Sequence, residues 1–478
     1  VKKMSALDRR RDFLLHGACG LGSLALWHLL ARDGYAQTAP PPLPGARPLA
    51  PKPPHFAAKA RSVIFLFMEG GPSQIDLFDP KPQMARWDGQ MLPESLRAHL
   101  RFAFIKPTAR VWASRQSFRK HGQSGLEFSS LLPHMAGVAD EWCMVRSVHS
   151  NQFNHHPGQL LMHCGSPLVG RPAMGAWLLY GLGSESENLP GFVALNSGRG
   201  GFASSGLFTS GFLPSMYQGV PFATSGEPIA YLSNPPGLGP DEQRERLDAI
   251  RGLNELHYRQ TGDREIASRI AAYELAFRMQ TAAPELLDLS KEPKETLALY
   301  GADQDNAFAR NCLLARRMVE RGVRFVLCAH GSWDDHGSLV SGHQKNCRIV
   351  DQPSAALIKD LRQRGLLDET IVIWGGEFGR TPLAQTLEPG REEATGRDHH
   401  PDAFTMLLAG GGIRPGTVVG RTDDLGLSVA EDKVEVHDLH ATLLHCLGLD
   451  HTRLTYRFQG RNFRLTDVAG QVVRKMLV

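Results

Sequence analysis

Four continuous apolar runs, each stopping at Gly and polar residues, constrain this chain most: Ser62-Val63-Ile64-Phe65-Leu66-Phe67, Arg324-Phe325-Val326-Leu327-Cys328, Thr370-Ile371-Val372-Ile373-Trp374 and Phe404-Thr405-Met406-Leu407-Leu408-Ala409. Runs of this length without polar alternation suit strands buried on both faces. Helical patterns lie between them, at 242–280, 305–321 and 344–364. Strand and helix in alternation predict an α/β fold with a mainly parallel sheet covered on both sides. Sites in such sheets form at the carboxyl ends of the strands, which is where Glu69, Asp334 and Glu377 fall. The stretch 189–236, rich in Gly, Ser, Pro and Phe, predicts loops or an insertion over the sheet.

The first 36 residues read as an address. Arg9-Arg10-Arg11-Asp12-Phe13-Leu14-Leu15 precedes an apolar stretch to Leu30, the pattern of a twin-arginine signal, with Gly34-Tyr35-Ala36 as a cleavage site. The apolar part is shorter than the roughly 20 residues that span a bilayer, so no stable membrane span is expected after its removal. His16 stands where a lipidation signal at Cys19 would need an aliphatic residue. The expected location is the periplasm, or otherwise outside the cytoplasm. Residues 37–60 are Pro- and Ala-rich, the composition of an extended linker, and 61–478 form the expected folded domain.

Net charge excludes one class of function. The formal +4 includes six basic against three acidic side chains in residues 1–36, so the remainder is near neutral and carries no sustained basic stripe for nucleic acid. Besides Cys19, six cysteines are scattered without a Cys-x-x-Cys pair, which argues against zinc knuckles and thioredoxin chemistry and favours isolated buried thiols.

Polar clusters follow the apolar runs. His330 and Trp333-Asp334-Asp335-His336 offer carboxylate and imidazole two residues apart, a spacing that can converge on one divalent ion. Gly375-Gly376-Glu377-Phe378-Gly379-Arg380-Thr381-Pro382 follows the third run, and Gly396-Arg397-Asp398-His399-His400-Pro401 precedes the fourth. Arg380 is a candidate anion clamp, since guanidinium grips phosphate or sulfate oxygens, and its plain alternative is a salt bridge. Glu377 and Asp398 have structural alternatives as a helix cap and as a partner of Arg397. Asn151-Gln152-Phe153-Asn154-His155-His156-Pro157-Gly158 opens a helical run ending at Gly165, and a helix start favours anions. The alternative there is Asn154 as cap, with surface histidines. His437 to Leu449 reads as an amphipathic helix most of whose histidines are structural.

Together these blocks resemble the bacterial family called domain of unknown function 1501, placed in the alkaline phosphatase and sulfatase superfamily; the most specific are Gly70 to Lys81, Trp333 to His336, Glu377 to Pro382 and Gly396 to Pro401. The resemblance implies an alkaline-phosphatase-like three-layer sandwich. It also implies divalent metal ions (zinc, calcium, magnesium or manganese), with Glu69, Asp334, His336, Glu377 and either His399 or His400 as ligands and room for two ions. Where relatives carry a Cys, Ser or Thr nucleophile this chain has Asn154 or His155, so His155 could act as nucleophile, general acid or third metal ligand, and Phe378 stands where many supply a metal histidine. The implied function is an exported sulfatase- or phosphatase-like hydrolase of a small anionic ester or sulfated polysaccharide, with His155, Asn154 and Arg380 around the anion. The alternative is a non-catalytic metal- or polysaccharide-binding accessory protein that keeps the fold.

Overall fold

The computed structural model describes residues 49–97, 104–106, 108–198, 205–223, 229, 232–385 and 392–478; the expected signal 1–36 and the linker up to residue 48 lie outside the described residues. The strands that frame the site are, in chain order, β1 (Ser62–Met68), β2 (Cys143–His149), β3 (Phe192–Ser197), β4 (Val220–Phe222), β5 (Phe325–His330), β6 (Thr370–Gly375), β7 (Gly379–Ala384), β8 (Arg397–His400), β9 (Phe404–Ala409), β10 (Thr417–Val419) and β11 (Val434–Glu435). The helices that cover them are α1 (His155–Cys164), α2 (Met174–Leu182), α3 (Ala307–Glu320), α4 (Leu339–Gln363) and α5 (Val436–Cys446).

Among the described residues, nine strands form one sheet in the order β10-β2-β9-β6-β1-β5-β3-β4, with β11 also beside β2. β6, β1, β5, β3 and β4 run parallel in succession, and β9 alone enters antiparallel, between β2 and β6. All seven residues of β1 are buried, and the two-residue side-chain period sorts them between two cores. Val63, Phe65 and Phe67 meet residues of α1, α2 and α5 on one face. Ile64, Leu66 and Met68 meet residues of α3 and α4 on the other. Each such side chain contributes roughly 1.5–3 kcal/mol on burial, which is why a strand with no polar face is stable only at the centre of three layers.

The expectation of loops at 189–236 needs correction, because that stretch supplies β3 and β4. β2 was also hidden from its residues: Arg146 and Ser147 interrupt the apolar run, yet Arg146 reaches Glu127 at 3.3 Å and Ser147 donates to the Asp432 carbonyl at 2.6 Å. The last part of the Pro/Ala-rich segment lies against the domain. Lys52 N donates to the Leu182 carbonyl at 2.8 Å, and Lys59 and Ala60 donate to that of Cys446 at 2.8 and 2.9 Å.

Residues 239–271 group into a separate compact unit that includes the helix Pro240–Thr261. The six cysteines of the described residues are all buried and form no disulfide, as isolated thiols. Among the described residues no helix is long and apolar enough to cross a membrane.

Candidate functional site

Three loops at the carboxyl ends of β1, β5 and β6, the β7–β8 hairpin and the start of α1 meet at one point. Glu69 and Gly70 follow β1, Asp334 and His336 follow β5, and Glu377 follows β6. In the hairpin, His399 of β8 pairs directly with Arg380 of β7, so the register places an imidazole beside a guanidinium. α1 is aimed from its far end, where its Met162 and Gly165 carbonyls are bound by Nε2 of His440 and His437 of α5. Gly165 ends α1 at φ +65, and a Cβ there would lie 1.8 Å from the Leu465 carbonyl oxygen. Those histidines are structural, as expected.

Four side chains form the centre: His155, Asp334, His336 and His399 offer ligand atoms that all lie within 4.8 Å of one another. Nε2 of His155, His336 and His399 stand 3.2, 3.0 and 3.2 Å from Asp334 Oδ1. The other ring nitrogen of each histidine is held outward. Nδ1 of His155 is 2.7 Å from Glu377 Oε1, that of His336 is 2.5 Å from Gln385 Oε1, and that of His399 is 2.6 Å from the Phe153 carbonyl. Acceptors at Nδ1 fix the proton there and turn the Nε2 lone pairs inward, the arrangement that metal-ligating histidines adopt.

Lone pairs from three imidazoles cannot face a carboxylate oxygen without a cation between them. Burial works against charge on His155, yet hydrogen bonds and the charges of Asp334 and Glu377 outweigh it and push the ring up to about 9. Burial also opposes charge on Asp334, but the three histidines and the Arg380 guanidinium hold its carboxyl far below the usual carboxylate range. The hydrogen bond to Asp334 raises His336, while burial lowers His399. A tetrahedral ion with metal–ligand bonds of roughly 2.0–2.1 Å has ligand–ligand edges of roughly 3.3 Å, close to the nitrogen–oxygen distances here. His155 Nε2 is buried and stands 3.2 Å from Asp334 Oδ1. The four residues therefore fit one divalent ion.

A second ion is not served in the same way. Gln159, on α1, directs its Nε2 to Glu69 Oε1 and Glu377 Oε1, at 3.3 Å from each. An amide donor thus stands between the two carboxylates. Glu377 is fully buried and also takes the Gly70 amide at 3.2 Å, so both carboxylates lie beside the four-residue centre.

Arg380 departs from the anion clamp expected of it. It is completely buried, and its donors go to the carbonyls of Gly71 (2.9 Å), Arg397 (3.0 Å), Trp333 (3.3 Å) and Gly70, and to Asp334 Oδ1 (2.7 Å). Completely buried and gripping these acceptors, it is a strut that ties the β1 and β5 loops to the hairpin. His400 is also turned away, its Nε2 3.0 Å from the Gly426 carbonyl, so the late histidine at the centre is His399. Asn154 is exposed at the start of α1 and its side chain makes no cap bond. Phe378 packs its ring on His399 at 4.4 Å and on His155 at 5.0 Å, so the position holds a wall. Gln385, Gln159 and Phe153 were missed in the sequence: an amide or a main-chain carbonyl that serves through a histidine has no signature of its own.

The family described as protein of unknown function (DUF1501) matches residues 60–477. No curated protein matches the chain in sequence. Among solved structures it is similar to the lipoteichoic acid synthase LtaP from Listeria monocytogenes, with 9% identity over 84% of this chain and 76% of that one and a TM-score of 0.36. A protein in the alkaline phosphatase superfamily from Vibrio parahaemolyticus is 12% identical over 89% of this chain and 76% of its own, with a TM-score of 0.34. The PsFucS1 sulfatase from Pseudoalteromonas sp. is 12% identical over 82% of this chain and 68% of its own, with a TM-score of 0.33.

Proposed function

The chain belongs to the DUF1501 family of proteins of unknown function, and from that premise we propose that it is an exported, metal-dependent hydrolase of sulfate or phosphate esters, sulfatase- or phosphatase-like in its chemistry. The observation that carries this reading is the convergence of three Nδ1-anchored histidines on Asp334. Three nitrogens and one carboxylate favour zinc over the harder calcium and magnesium. When bound, such an ion supplies Lewis-acid charge to the oxygens of a tetrahedral ester.

The chain's own residues account for the rest. Glu377, Gln385 and the Phe153 carbonyl keep the ring protons on Nδ1 and the rings in place. Arg380 fixes Asp334 from behind, and the Phe378 ring packs against the rings of His155 and His399. Glu69 is half-buried and is held beside Glu377 by the Gln159 amide. The location we propose is the periplasm, following the twin-arginine pattern at 9–15.

A second reading, a non-catalytic binding protein, is favoured by one observation. The start of α1 presents Asn154 and His155, with no hydroxyl or thiol, and His155 is already committed to Asp334 and Glu377. The deciding experiment measures metal content of the purified full chain together with turnover of aryl phosphate and aryl sulfate panels, before and after chelation. Bound metal with chelator-sensitive turnover that disappears in Asp334→Ala is the expected result. Metal without turnover favours the binding protein, and absence of metal overturns the hydrolase and any metal-binding role.

A further inference from the structure

Two phenylalanine rings stand exposed at the edge of the metal centre. Phe104 is 56% exposed and Phe153 is 45% exposed, and their centroids are 6.4 Å apart with the rings inclined at 64°. Phe104 also meets two of the ligand rings edge to face, His399 at 5.4 Å and His336 at 6.1 Å. Single exposed apolar side chains are ordinary on a protein surface. Two in contact, against the ligands of a polar site, are not scattered.

Both are held there by hydrogen bonds that end on His399. Asp398 Oδ2 accepts the Phe104 and Ile105 amides at 2.7 and 3.1 Å, while its Oδ1 accepts the His399 amide at 2.9 Å. The Phe153 carbonyl takes Nδ1 of His399 at 2.6 Å. A buried carboxylate thus fixes one ring's backbone and a ligand histidine fixes the other's. Neither ring carries a polar group, so what they recognise must present an apolar face within reach of the ion.

We propose that Phe104 and Phe153 form an apolar subsite for the alcohol part of the substrate, so that the preferred ester is a sulfate or phosphate whose alcohol carries a six-membered ring. This rests on reading the centre as one that receives a tetrahedral oxyanion. The anion meets the metal centre, while the ring covers phenyl surface that is otherwise left in water. Aryl rings and the C–H faces of pyranoses share this chemistry.

The test is calorimetric titration of the zinc-loaded full chain with phenylphosphonate and with methylphosphonate, in wild type, Phe104→Ala and Phe153→Ala, with zinc content measured on each sample. Phenylphosphonate is expected to bind about tenfold more tightly than methylphosphonate, and the ratio to fall towards one in both variants. The ratio is independent of any general loosening of the site. A pyranose sulfate and an aryl sulfate of equal charge then separate the sources, the better binder naming the class. Equal affinity for the two phosphonates, or a ratio that survives both substitutions, overturns the subsite and leaves the oxyanion reading standing. If zinc is bound and neither phosphonate binds, the oxyanion reading fails and the subsite falls with it.

Discussion

A Cβ on Gly70 would lie 2.5 Å from the backbone nitrogen of Asp334. The loop after β1 therefore sets the position of the carboxylate on which three histidines converge. Gly70 also adopts φ +114, a conformation that other residues rarely take, and its amide is 3.2 Å from both Glu377 oxygens.

Gly70→Ala is expected to push the Trp333–Asp334 backbone away and to weaken the centre more than the fold. Strain at such a position costs on the order of 1–3 kcal/mol, which a large core tolerates. A shift of Asp334 by a fraction of an ångström spoils the geometry shared by four ligands. Zinc affinity should fall at least about tenfold with the folded state retained, as read by zinc titration and circular dichroism. An unchanged affinity would mean that the loop yields instead of the ligand.

Gln385 supplies a different kind of control. Its Oε1 lies 2.5 Å from His336 Nδ1 and holds that ring's tautomer, while the side chain itself does not reach the centre. Gln385→Ala should lower metal affinity by about 10- to 100-fold, the usual consequence of losing the acceptor behind a ligand histidine. Gln385→Glu, which keeps an acceptor, should restore most of it. If alanine and glutamate behave alike, the contact does not orient His336.

How much of this could be read from the residues depends on the range of each interaction. β1, β5, β6 and β9 are legible because burial on both faces leaves a local mark, an unbroken apolar run. Asp334, His336 and His399 are legible because they sit in polar clusters where such runs end or begin. For His155 the sequence leaves nucleophile, general acid and metal ligand open, because only the approach of α1 to β6 makes it a neighbour of Glu377, 222 positions away. Arg380 misled for the same reason: a guanidinium that grips carbonyls and one that grips an anion look identical in sequence, and only complete burial separates them. β2 and β3 failed because polar or glycine-rich surroundings masked strands that are nevertheless flanked on both sides within the sheet.

Acid should weaken the layer that supports α1. His163 is fully buried, with Phe65 stacked on its ring at 5.2 Å and Phe67 at its edge at 4.5 Å, and burial drives it down to about 3. His440 is buried beneath the same layer, its Nε2 on the Met162 carbonyl at 2.7 Å, and burial likewise brings it to about 3. Unfolded histidine takes up a proton near 6.5, so below that pH the unfolded chain binds protons that the folded chain refuses. The stability these two groups confer is therefore complete above about pH 6.5 and is lost progressively as pH falls towards 3. At pH 5 the loss is roughly 2 kcal/mol for each, enough to move a urea midpoint visibly. Denaturation at pH 7.5 and pH 5 should show that drop, and His440→Gln should shrink it by removing one of the two titrations. A stability that stays flat between those pH values would mean that these rings are not held neutral by burial.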